Sequence, residues 1–155
     1  NTDSYDIFPS FTPDGNILLS TWGKVEGMQQ AGSGDLYLAK PDGDDYQVSE
    51  IAEGLNTDQP EAGASMGPNG DVLLFHRSNR DKGLPDRIFM KRKTSSGWTG
   101  AKLVGPPVTR DFTWTYGGRI DPTGEYLFFN SGFRGQTEIF RIPITDIPDL
   151  APYFN

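Results

Sequence analysis

The chain has 155 residues, 35% of them hydrophobic and 23% charged, which suits one globular domain with room for a core. Its formal charge of −7 argues against nucleic acid or an anionic lipid surface as partner, and the lack of Cys excludes disulfide scaffolds, thiolate zinc sites and thiol nucleophiles. With 19 Gly and 12 Pro the chain is punctuated too often for long helices and suits many short strands joined by turns.

The chain begins at Asn1 rather than Met and reads as a processed or excised piece of a longer protein. In chain order, the first clear element is a tight turn at Thr12-Pro13-Asp14-Gly15, where Pro presets one φ and Gly tolerates a positive one. The apolar run Ile17-Leu18-Leu19 follows as a predicted strand, then a strand carrying Asp35-Leu36-Tyr37, then a fourth strand over Tyr46–Ile51. The Asp42-Gly43-Asp44-Asp45 segment between them reads as a solvated hairpin turn, since the spaced carboxylates and closing Glu of a calcium loop are missing.

The same series begins again at Gly67-Pro68-Asn69-Gly70, followed by Val72-Leu73-Leu74-Phe75, Arg87-Ile88-Phe89 and a short strand over Lys102–Val104. Trp98, just before that fourth strand, is expected to pack in the core. A third series runs from Asp121-Pro122-Thr123-Gly124 through Tyr126-Leu127-Phe128-Phe129 to Glu138-Ile139-Phe140. Pro13 to Pro68 is 55 residues and Pro68 to Pro122 is 54. Upstream, Asn1-Thr2-Asp3 recurs as Asn56-Thr57-Asp58 in the same register. After Pro143 the spacing of Pro148 and Pro152 opposes a further strand, so the last unit is expected to lack its outer one. No apolar run approaches the ~20 residues of a membrane-spanning helix.

A unit of some 54 residues with up to four strands is the pattern of one β-propeller blade. The expected fold is all-β, with three four-stranded-type blades at about 1–55, 56–108 and 109–147 and a tail over 148–155. Three blades are too few to close a ring, because a closed propeller needs roughly four to eight. Two readings stand: a partial ring of six or more blades whose remainder lies elsewhere in a longer protein, or a homodimer in which two copies complete one ring.

At Phe11-Thr12-Pro13-Asp14-Gly15 the chain resembles the WD40-like β-propeller repeat family built on Phe-Ser-Pro-Asp-Gly, the TolB-like propellers. Leu73-Leu74-Phe75, Ser78-Asn79-Arg80 and Asp35-Leu36-Tyr37 match the family's strand and loop signatures, and the likeness extends to about Pro143. Asn69 and Thr123 replace the motif Asp in the second and third units. The resemblance implies a periplasmic or extracellular protein acting as a binding or interaction scaffold, or a propeller domain attached to a peptidase.

In a four-stranded blade the loop before the inner strand and the loop between the second and third strands meet at one end of the ring. That end is expected to collect Asp6, Trp22, Glu61, His76, Arg77, Arg80, Trp114, Tyr116 and Arg134. Aromatic rings beside Arg and carboxylates suit a peptide, protein or carbohydrate ligand. The bland alternative pairs Arg80 and Arg134 with carboxylates of neighbouring blades. His76 is the only His, standing where Thr21 and Asn130 stand in the other units, and reads as a hydrogen-bonded loop residue rather than a general base. No catalytic residue, metal or cofactor is assigned. The leading expectation is a non-enzymatic scaffold; the competing one is a hydrolase or lyase acting on a sugar or lactone.

Overall fold

The structure, a computed structural model, describes residues 2–79, 82–111, 113–133 and 136–154. It is all-β, with three open antiparallel sheets that follow one another along the chain. The first holds β1 (Asp6–Phe11), β2 (Ile17–Thr21), β3 (Asp35–Asp42) and β4 (Asp45–Glu50), paired in that order. The second holds β5 (Glu61–Met66), β6 (Val72–Asn79) and β7 (Leu84–Thr94), with the short β8 (Gly97–Trp98) and β9 (Lys102–Leu103) both on β7. The third holds β10 (Trp114–Ile120), β11 (Tyr126–Phe133) and β12 (Gln136–Pro143). Among the described residues no helix is long and apolar enough to cross a membrane.

Each Pro-x-Gly segment sits where the sequence put it, between the first and second strands of a sheet. Gly15, Gly70 and Gly124 all take positive φ there, at 85°, 73° and 78°. The Asp42–Asp45 segment is a hairpin turn with Gly43 at φ 62°. The third sheet has three strands. In place of a fourth, the proline-spaced tail makes two 3₁₀ turns, Ile144–Asp146 and Ala151–Tyr153.

Pairing registers correct one expectation. In the second and third sheets His76 lies opposite Ala62 and Ile88, and Asn130 lies opposite Tyr116 and Ile139. In the first sheet the residue with those neighbours, Ile7 and Leu36, is Ser20 and not Thr21. The cause is a turn one residue shorter: Phe11 pairs with Ile17, whereas Met66 pairs with Leu73 and Ile120 with Leu127.

Burial follows from the order of the sheets. The run Val72-Leu73-Leu74-Phe75 is fully buried because β6 lies in the middle sheet and is covered on both faces. Leu73 and Phe75 join Leu18 and Leu36 in a core between the first and second sheets, which Trp98 flanks as expected. Val72, Leu74, Ile88 and Met90 point the other way, into a core shared with Leu127 and Phe129 of the third sheet. The tail closes that second core with Ile144, Ile147 and Leu150, all buried. On β11 only Leu127 and Phe129 are buried, and on β2 Ile17 and Leu19 are only partly so, which leaves the outward faces of the first and third sheets less covered than those of the second.

The seams between sheets carry matching hydrogen bonds. Ser10 Oγ donates to the Ala64 carbonyl at 2.7 Å, and Ser65 Oγ, its register counterpart, donates to the Gly118 carbonyl at 2.6 Å. Arg119 takes the serine's place in the third sheet, and its guanidinium also donates to the Ala64 carbonyl, at 2.9 Å. Burial of that guanidinium holds it below its ordinary pKa.

Candidate functional site

All three first strands break register at the same point, between Ile7 and Ser10, Ala62 and Ser65, and Tyr116 and Arg119. Such bulges re-aim side chains. The bulged residues are Phe8, Gly63 and Gly117, with φ of 54°, 63° and 66°. Glycine fits that conformation without a Cβ penalty, and a bulky residue there is an outlier. Phe8 is such an outlier, and its ring meets the His76 ring edge-on at 5.7 Å.

His76 in turn meets Tyr116 of the third sheet at 5.9 Å, so one aromatic contact chain crosses all three sheets. These rings wall a cavity of about 460 Å³, together with Trp22, Ser33, Pro60, Ser78 and Asp86. Asp86 and His76 are buried polar groups, while Phe8 keeps 38% of its surface exposed. The His76 ring lies against Gly63, where a Cβ would come within 2.8 Å of Nδ1. A side chain at Gly63 would therefore displace the histidine from the wall.

The long loop after β2 is tied down at its far end by Asp35. The Asp35 carboxylate accepts the Ala31 N–H at 2.8 Å, the Gly32 N–H at 3.2 Å and the Tyr37 hydroxyl at 3.2 Å. Burial first, and the Asp35 charge second, push the Tyr37 phenol up to about 12. Trp22 lies on Gly34, whose added Cβ would be 2.9 Å from the indole, and Gly32 passes against the Thr57 carbonyl in the same way. These close approaches fold the loop back and bring Trp22 and Ser33 to the cavity.

Of the nine residues expected at this end of the molecule, Trp22, His76 and Tyr116 line one cavity. Glu61 and Arg77 are engaged with each other instead: Arg77 Nε meets Glu61 Oε1 at 2.5 Å, with the glutamate side chain fully buried. Thr57 donates its N–H at 2.9 Å and its hydroxyl at 2.6 Å to the same carboxylate. Burial pushes the Glu61 carboxyl above its usual range, and the Thr57 and Arg77 donors pull against it. The Arg77 guanidinium also lies over the Phe75 and Phe89 rings and borders a smaller cavity of about 150 Å³.

Asp6 is the register counterpart of Glu61 and binds Thr2 in the same way, through the N–H at 2.7 Å and the hydroxyl at 3.0 Å. Partial burial pushes its carboxyl up, but donors from Thr21 and Thr2 outweigh that and leave it below the usual value. It faces a groove on the outer side of the first sheet rather than the cavity. Trp114 is half-buried at the head of β10, outside the cavity wall. Arg80 and Arg134 lie outside the described residues.

Segments 22–33, 56–61 and 77–86 are expected at this end, but sequence reasoning singled out none of Ser33, Pro60, Ser78 and Asp86 within them as wall residues, and it missed Ile7, Phe8 and Ala62. Phe8 did leave a signal: at the same spacing of 55 and 54 residues, the other two units carry Gly63 and Gly117. Among the described residues no group of three or more His, Asp or Glu side chains converges as a metal centre would require. The cavity has aromatic walls with a few polar edges. Compared with known proteins, the chain matches no family model and no curated protein.

Proposed function

We propose that this chain is a non-enzymatic binding module of β-propeller type, its three sheets serving as blades of a secreted or periplasmic protein. The ligand is a short peptide or a carbohydrate, held at the end of the inner strands. The observation that carries this reading is Phe8. A bulky side chain is kept in a conformation that costs about 1–2 kcal/mol, at a place where the other two sheets use glycine. Strain of this kind persists where the surrounding structure imposes it, and it gathers at ligand clamps. Here it delivers a ring to the cavity shared with Trp22, His76 and Tyr116.

Two further features support the reading. The walls come from all three sheets and from the loop pinned by Asp35, so the pocket is pre-formed. The Pro-x-Gly turns occupy corresponding places in the three sheets, as TolB-like blades would require.

The test is a fluorescence titration with defined oligosaccharides and short peptides, with Trp22→Phe as the control that identifies the reporting indole. Saturable quenching that disappears in Trp22→Phe and weakens at least tenfold in Tyr116→Ala is expected. A panel that leaves the Trp22 signal unchanged up to millimolar ligand would remove the reading.

A further inference from the structure

The open faces of the first and third sheets are the two halves of one junction. We infer that the outer face of the third sheet docks on the outer face of the first sheet in a second copy of the chain, and that two such contacts close a ring of six sheets. This rests on the propeller reading above and adds the partner.

The internal junctions give the template. The second sheet turns Val72, Leu74, Ile88 and Met90 toward the third, where all four are buried. Register places Tyr126, Phe128, Ile139 and Arg141 in the corresponding positions of the third sheet. That face is uncovered: Ile88 is fully buried, whereas Ile139 is 76% exposed and Phe128 38%. Nothing in the water-facing role of Ile139 calls for a large apolar side chain, and contiguous exposed apolar surface marks an interaction site.

The first sheet presents the complement. Leu18 and Leu36 point toward the second sheet, so Ile17, Leu19 and Val48 point outward. With Ile7, Pro9 and Val25 they line a groove of about 480 Å³. In the internal junctions this is the side that receives the preceding sheet. Pro9 stands on the open side of β1 where Ala64 and Gly118 stand in the internal seams, but the serine bond does not recur there, because Arg119 holds the serine position of the third sheet and donates back to Ala64.

A head-to-tail contact of this kind makes a ring when its rotation closes and a fibre when it does not. Two chains of three sheets fall within the roughly four-to-eight range of radial β-sheet rings, and three chains exceed it. A second copy therefore fits both the two faces and the closure.

Sedimentation velocity of the chain at micromolar concentration is expected to show a dimer. Ile139→Asp, a change at an exposed position, is expected to weaken it at least tenfold. The absence of Cys permits a sharper test. At the internal junction Ile88 Cδ1 lies 3.2 Å from where a Cβ on Gly118 would stand, and the corresponding pair across copies is Ile139 and Pro9. Mixed under oxidation, Pro9→Cys and Ile139→Cys chains are expected to form a covalent heterodimer more readily than either forms a homodimer.

A monomer by sedimentation overturns the inference and leaves the two faces to other chain segments or another protein. A dimer whose cysteines do not cross-link preferentially overturns it too. The ligand titration through Trp22 reports separately, because the cavity lies within one chain. Binding retained by a monomer sinks the dimer alone, whereas a dimer that cross-links as expected but shows no ligand response through Trp22 sinks the proposed function alone.

Discussion

Phe8 permits a measurement of how much strain the cavity stores. Phe8→Ala removes the ring but keeps a Cβ at φ 54°, while Phe8→Gly removes both. The ring contact with His76 is worth about 0.5–1.5 kcal/mol and is lost in both variants, so it cancels in their difference. Relief of the left-handed conformation favours Gly by about 1–2 kcal/mol. The greater freedom of Gly in the unfolded chain returns about 0.4–1 kcal/mol of that. The glycine variant should therefore be the more stable of the two by about 0.5–1 kcal/mol. Urea denaturation followed by tryptophan fluorescence reads this as a difference in midpoint at equal slope. With a slope of about 1–3 kcal/mol per molar, the midpoints should lie a few tenths of a molar apart. Gly117→Ala is the reciprocal control. It forces a Cβ into φ 66° and to within 2.9 Å of Asn130 Nδ2, and should cost at least ~1 kcal/mol. If Phe8→Ala proves as stable as Phe8→Gly, the backbone there is not strained and the case for a clamp built on it fails.

Glu61→Ala should cost about 3 kcal/mol in urea denaturation, because it strands the Arg77 guanidinium and the Thr57 donors; a cost below 1 kcal/mol would refute the pairing as a structural tie. In a double-mutant cycle with Arg77→Ala the two losses should be clearly less than additive. Lys91 is buried, its ammonium donates to the Glu53 carbonyl at 2.6 Å, and burial with the nearby Arg77 lowers its pKa. Lys91→Met should therefore raise stability, by about 1 kcal/mol, and a comparable loss in the same assay would contradict that. The Asp121 carboxyl is held below its usual value chiefly by the Thr123 hydroxyl, then by the Tyr126 N–H. Its stabilising share is present above the unfolded pKa of ~3.9 and fades as pH falls through the lower folded value. Thermal melts from pH 6 down to pH 2.5 should show the wild type losing more stability than Asp121→Asn, and parallel curves would count against it.

The turns and the third sheet's missing strand were readable in advance, because Pro and Gly act through local backbone geometry. Pro13, Pro68 and Pro122 mark three hairpins; the last strand ends at Pro143, and Pro148 and Pro152 lie in the tail of 3₁₀ turns that follows it. The position of His76 was misjudged by one residue in the first sheet, since the turn motif alone does not fix how many residues separate paired strands. The cavity was half legible. Trp22, His76 and Tyr116 could be placed by unit spacing, but Ser33 comes from a loop whose path depends on the Asp35 tether, and Asp86 reaches the wall from the start of β7. Glu61 and Arg77 looked like ligand groups because both are charged near the same end. Only their 2.5 Å contact, with the glutamate fully buried, shows them satisfying each other.

The C-terminal segment has a cost for the sheet it leaves. Ile144, Ile147 and Leu150 seal the base of the second core, so that stretch of chain cannot also run alongside β12. Among the described residues nothing pairs with the outer backbone ladder of β12, the strand that carries Ile139 and Phe140. Bare edges of this sort template further strands and seed fibrils. Glu138, Arg141 and the terminal Pro143 interrupt that tendency along the strand. Neutralising the first two would turn the edge from a tolerated gap into a nucleus for precipitation.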